Sequence, residues 1–137
     1  MLTTDQKFAV TSFEQIKADV VSRGDGPYQK KYGSMAHKLP VLIRTAGLAQ
    51  ALQFVEARTK SDDAPEKKLL THLAQALGFT DGDGMSARER LLEKSRTEGL
   101  GAYMRLTQQS LAALLWYKRF AQSVLNVEAG EDDEGAR

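Results

Sequence analysis

Apolar positions recur at helical spacing from the start of the chain. Phe8, Phe13, Ile16, Val20 and Val21 follow one another in steps near three and four, the pattern of one face of a helix. Thr3 and Gln6 stand ahead of them at capping-box spacing, so a first helix is predicted over about residues 4–23, stopped by Gly24-Asp25-Gly26-Pro27. Tyr28, Tyr32, Met35 and Leu39 then share a face of a second helix that runs to about Lys38. Pro40 lacks an amide hydrogen and pushes Leu39 away from helical angles. A third helix is therefore predicted to begin at Pro40 and reach about Thr59. On it Val41, Leu48, Leu52 and Val55 form one apolar band and Ile43 and Phe54 a second, with Gly47 and Ala51 as a small-residue strip between them.

A fourth helix starts around Asp63-Ala64-Pro65-Glu66, carries Leu69, Leu70, Leu73, Ala76 and Leu77, and stops at Gly78. Residues 80–85 read as a loop, and Ser86 with Glu89 forms a second capping box that opens a fifth helix with Leu91 and Leu92. Gly99 and Gly101 mark a bend before the longest helix, about residues 100–126. There Leu100, Tyr103, Met104, Leu106, Leu111, Leu114, Leu115, Phe120, Val124 and Leu125 cover more than half the circumference, which predicts a central helix. No alternation with period two persists. The predicted fold is all-α, a single domain of five or six packed helices over residues 1–127 with a long central C-terminal helix.

Charge adds what periodicity does not. The 137 residues carry a formal net charge of +1, but residues 128–137 hold Glu128, Glu131, Asp132, Asp133 and Glu134 against Arg137, which leaves residues 1–127 at +5. The acidic segment has too little apolar surface to offset its ordering entropy and reads as a disordered tail. It is either a solubilising end or a competitor for the basic face. No acidic residue lies between Asp25 and Glu56, where Lys30, Lys31, His37, Lys38 and Arg44 occur, and none between Glu98 and Glu128, where the charges are Arg105, Lys118 and Arg119. Segregation of this kind builds a directed surface potential and points to a polyanionic partner.

Catalytic chemistry finds little foothold. There is no cysteine, so disulfides, thiolate metal sites and thiol nucleophiles are excluded. No apolar run reaches signal-peptide or bilayer-spanning length, and the expectation is a cytoplasmic protein with no membrane partner. His37 and His72 have no neighbour at ligand spacing and read as surface or interfacial side chains. Asp81-Gly82-Asp83-Gly84 fails as a calcium loop, because Met85 and Leu92 fall where oxygen ligands are needed. Gly99-Leu100-Gly101 lacks the preceding strand and third glycine of a dinucleotide fingerprint. The reading is of a non-enzyme with no metal or cofactor.

Two segments carry a resemblance. YGSMAHKLPVLIRTAGLAQALQF, from Tyr32 to Phe54, and LAALLWYKRFAQSVL, from Leu111 to Leu125, resemble the small helical subunit of the type III-B CRISPR effector, the Cmr complex, through an L-P-x-L-I-x-x-x-G-L core and a W-x-K-R-F-A run. The resemblance implies a non-catalytic subunit of an RNA-guided antiviral ribonucleoprotein. Its copies would stack in a minor filament beside the backbone subunits and line the groove where target RNA pairs with guide RNA, with the large subunit at one end. By position within these segments it implies RNA contact at Lys38, Arg44, Lys118 and Arg119. Lys30 and Lys31 join them on charge alone.

Other readings stay open for particular residues. Arg44 could instead pair with Glu98 or Asp19, and only one of the adjacent Lys118 and Arg119 is expected to face RNA. Tyr28 and Tyr32 read as core, with base stacking as the alternative. For the whole chain, the alternatives are an interaction module that docks acidic protein surfaces and a small enzyme that joins His37 to His72.

Overall fold

The structure is a computed structural model and describes residues 1–130. Six α-helices follow in order: α1 (Thr4–Gln15), α2 (Gly26–Ala46), α3 (Leu48–Arg58), α4 (Pro65–Ala76), α5 (Ala87–Thr97) and α6 (Leu100–Ser123). No strand forms among the described residues, and one isolated bridge joins Gly82 to Met85 in the turn before α5. The all-α architecture is as predicted. Expectations about residues 131–137 lie outside the described residues.

Local signals set several boundaries. The Thr3 hydroxyl accepts the Gln6 N–H at 3.0 Å and the Gln6 side chain accepts the Thr3 N–H at 2.8 Å, and the same reciprocal box at Ser86 and Glu89 opens α5. After α1 the path stays helical to Arg23, but Ile16–Val20 form a wide π turn and Val21–Arg23 a 3-10 turn. Phe8, Ser12, Ile16 and Val20 are buried at every fourth position. In a regular α-helix that spacing drifts by about 40° per step. The wide turn takes up the drift and keeps Ile16 and Val20 facing inward.

The predicted break at Pro40 is wrong. α2 runs through Pro40, and the chain turns at Gly47 instead, whose φ of 89° and ψ of 159° suit glycine. Proline deprives the Ala36 carbonyl of its usual partner, but Pro40 is buried and the helix on both sides of it is packed. Gly47 serves both neighbours: its N–H donates to the Ile43 carbonyl at 2.9 Å and its carbonyl accepts from Ala51 at 3.0 Å. The later break also changes the phase of the wheel. Leu48, Leu52 and Val55 are buried, whereas Val41 and Phe54 are 55% and 48% exposed.

α2 packs against α3, α4 and α6, and α6 against α1, α2, α4 and α5. Tyr28 and Tyr32 are core residues, as read. The C-terminal helix is less enclosed than predicted, since Leu100, Met104 and Leu115 lie on its open face and remain 76%, 52% and 43% exposed. On the far side of the molecule Arg88 of α5 holds Glu56 of α3 at 3.2 Å and Asp62 of the α3–α4 loop at 3.0 Å.

Neither histidine is at the surface. His72 of α4 is fully buried, with Nδ1 2.7 Å from the Tyr32 hydroxyl and Nε2 2.7 Å from Asp19 Oδ2 in the π turn. Burial raises the Tyr32 pKa well above its ordinary value, so the phenol keeps its proton and donates to Nδ1. Nε2–H is then left to donate to Asp19. Burial also lowers the His72 pKa, a shift that the Asp19 hydrogen bond and charge oppose. Beside it, the Tyr117 hydroxyl donates toward Gln15, whose amide donates to the His72 carbonyl at 3.1 Å. This network joins α1, α2, α4 and α6 through the middle of the core.

A candidate nucleic-acid interface on α2 and α6

The six cations singled out from the sequence sit on two helices. Lys30, Lys31, Lys38 and Arg44 are on α2, and Lys118 and Arg119 on α6. The helices run antiparallel. Tyr103, near the start of α6, accepts from the Ala49 N–H at 3.1 Å just past the end of α2, and Val127, just past the end of α6, accepts from His37 Nε2 at 2.9 Å.

Position on each helix decides which way a side chain points. Trp116 donates to Asp5 at 2.9 Å and Phe120 stacks edge-on against Phe13 at 5.4 Å, so that side of α6 faces α1. Lys118 is two residues from each and points about 200° away, toward α2. Arg119 shares its stripe with exposed Ala112, Leu115 and Ser123 and stands on the open face of α6. On α2, Arg44 follows the stripe of Gly33 and His37, which meets Val127, and so lies on the side toward α6. Lys30 comes next around the helix, and Lys31 and Lys38, two turns apart, lie beyond it. The six positions follow one another around one flank of the molecule.

Lys30, Lys31, Arg44, Lys118 and Arg119 are exposed, and none of these five has an ion pair among the described residues. The two acids considered for Arg44 are engaged elsewhere: Glu98 with Lys94 at 3.0 Å and Asp19 with His72. Lys38 is half-buried. It lines a cavity of about 220 Å³ with Ser34, His37, Val41, Ala129 and Gly130. Lys118 and Arg119 are both exposed, on different sides of α6.

The two histidines of the enzyme reading are both buried and are not brought together. Both ring nitrogens of His72 are bonded and no ring atom is exposed to a substrate, while His37 bonds Val127 rather than His72. The Asp81 carboxylate accepts the Ala87 N–H at 2.7 Å, and Asp83 lies 3.9 Å from Arg90. Among the described residues no group of three metal-ligating side chains forms, and no helix is long and apolar enough to cross a membrane.

What the sequence did not reveal is the segment after α6. Asn126 turns it in the left-handed region at φ 58°, and Val127 is then laid against Gly33, where an added Cβ would come within 2.7 Å of the valine. The notch at Gly33 had no signal in the sequence beyond a lone glycine in a helical pattern.

Comparisons with known proteins converge on one family. A family model described as CRISPR-associated protein (Cas_Cmr5) matches residues 4–124. A protein of Thermus thermophilus named CRISPR system Cmr subunit Cmr5 is 42% identical over 125 residues, which cover 91% of this chain and 98% of that protein. The crystal structure of a CRISPR-associated Cmr5 family protein from the same organism superposes with a TM-score of 0.75 at 41% identity, covering 90% of this chain and 98% of the other.

Proposed function

This chain belongs to the Cmr5 family and is thus a subunit of the type III-B CRISPR Cmr complex, and from that premise we propose that its α2–α6 flank lines the groove holding guide and target RNA. The supporting observation is the set of five exposed, unpaired cations on two antiparallel helices that carry no carboxylate within their spans. Lysine and arginine neutralise phosphates and release condensed counterions, which gives binding that ignores sequence and weakens steeply with salt. A groove that accepts any guide and its target needs that property, and base pairing supplies the sequence.

In this reading the subunit performs no reaction. It works in the cytoplasm through contacts with backbone and large subunits and with further copies of itself. Self-stacking is supported by the open face of α6, where Met104 and Leu115 leave apolar surface exposed. A head-to-tail contact would use two different patches on each copy, and weak contacts would strengthen when a backbone templates them. The alternative, docking of acidic protein surfaces, would use the same cations but would not give the salt slope of phosphate binding.

Charge reversal tests the assignment. Arg44→Glu and Lys118→Glu should weaken RNA engagement by the assembled complex while circular dichroism of the subunit stays the same, because both side chains are exposed. Unchanged affinity and an unchanged salt dependence for both variants would refute it.

A further inference from the structure

A groove follows the side of α6 that packs toward α1 and α5. Gln109 borders two cavities along it, one of about 250 Å³ and one of about 310 Å³. Phe79, Leu106 and Arg105 line the first, together with the Lys94 and Glu98 pair. Phe8, Leu77, Thr11 and Lys7 line the second. The floor is apolar: Phe8 and Leu106 are buried, and Leu77 and Phe79 are half-buried. Residues 76–79, where α4 ends, pass from one cavity to the other.

Polar groups are distributed along this floor in a way that selects an occupant. Lys7 in one cavity and Arg105 in the other are exposed, and neither makes an ion pair among the described residues, whereas Lys94 is held by Glu98 at 3.0 Å. The carbonyls of Ala76, Leu77 and Gly78 accept no backbone hydrogen bond among the described residues. The exposed Gln109 side chain offers both a donor and an acceptor beside them. The end of a helix carries partial negative charge and disfavours phosphate. A nucleic-acid strand, charged at every nucleotide, therefore fits poorly across the α4 terminus. An extended polypeptide fits well, because its N–H groups supply the donors these carbonyls lack and its apolar side chains match the floor. We infer that the groove docks an extended acidic segment of another protein chain, with carboxylates for Lys7 and Arg105 and a large apolar side chain between them. Gln109 precedes Lys118 by nine residues, about 180° around α6. Docking here leaves the α2–α6 flank open and does not depend on what that flank binds.

The test places the photo-crosslinker p-benzoylphenylalanine at Gln109 in one preparation and at the exposed Thr4, which lines the second cavity, in another. Each subunit is assembled into the complex and illuminated, and the joined segments are identified by mass spectrometry. Both positions should join a segment of another protein chain that carries carboxylates on either side of a large apolar residue. Lys7→Glu with Arg105→Glu should cut the yield per assembled complex roughly tenfold, and Lys7→Gln with Arg105→Gln should cut it less. Circular dichroism should stay the same in both pairs, since the side chains are exposed. Lys118→Glu, on the opposite side of α6, should leave the yield unchanged. Cross-links to RNA, to segments without carboxylates, or to nothing from either position would overturn the inference. So would a yield that survives both charge-changing pairs.

Discussion

His72 shows how one side chain can tie stability to pH. Its ring is fully buried and holds Tyr32 on one nitrogen and Asp19 on the other, a pattern that suits the neutral imidazole. Burial depresses its pKa below the ordinary value of 6.5. Between the two values the unfolded chain binds a proton that the folded chain refuses, so the stabilisation is complete above about pH 6.5 and is lost as pH falls toward the folded value. Thermal unfolding across pH 5–8 should show this decline, and His72→Gln should flatten it. Tyr32→Phe, which strands Nδ1 without a donor in the core, should cost about 1–3 kcal/mol in chemical denaturation at neutral pH. A variant as stable as the parent would show that Nδ1 finds another partner.

At the level of the helix, short-range chemistry was readable and long-range compensation was not. Both capping boxes lie within four residues of sequence, and both form as read. The network around His72 joins residues 53 apart, and no local pattern announces such a pair. The misplaced break has the same origin. Proline disfavours a helix locally, but Pro40 is buried in a helix packed against α3, α4 and α6, and tertiary contacts outweighed the propensity. Gly47 bears the turn instead. Gly47→Ala should cost roughly 1–3 kcal/mol, because the added Cβ meets a strained backbone and lies 3.4 Å from the Tyr103 hydroxyl. Equal stability of parent and variant in denaturant would mean that the α2–α3 junction relaxes freely. The cations of the flank were legible by residue type and by their acid-free surroundings, while their arrangement around α2 and α6 required the antiparallel pairing that only the fold supplies.

At the scale of the molecule, the ion pairs made by lysine and arginine among the described residues lie around α3, α4 and α5. Arg88, Arg90, Lys67 and Lys94 make these pairs, whereas Lys30, Lys31, Arg44, Lys118 and Arg119 make none among the described residues. Each phosphate contact removed from RNA binding by the complex should lower the logarithmic salt slope by about 0.7–0.9. The double variant Arg44→Glu with Lys118→Glu should therefore lose more slope than either alone. Arg96→Glu, on the exposed side of α5, should lose none. A comparable loss from Arg96→Glu would mean that bulk charge rather than the flank governs binding. One-sidedness also bears on symmetry. Copies related by a screw operation would keep their cationic flanks in register, so the ribbon would lengthen by one equal unit of charge with every added copy. Pairing about a twofold axis would instead turn alternate flanks away and interrupt it.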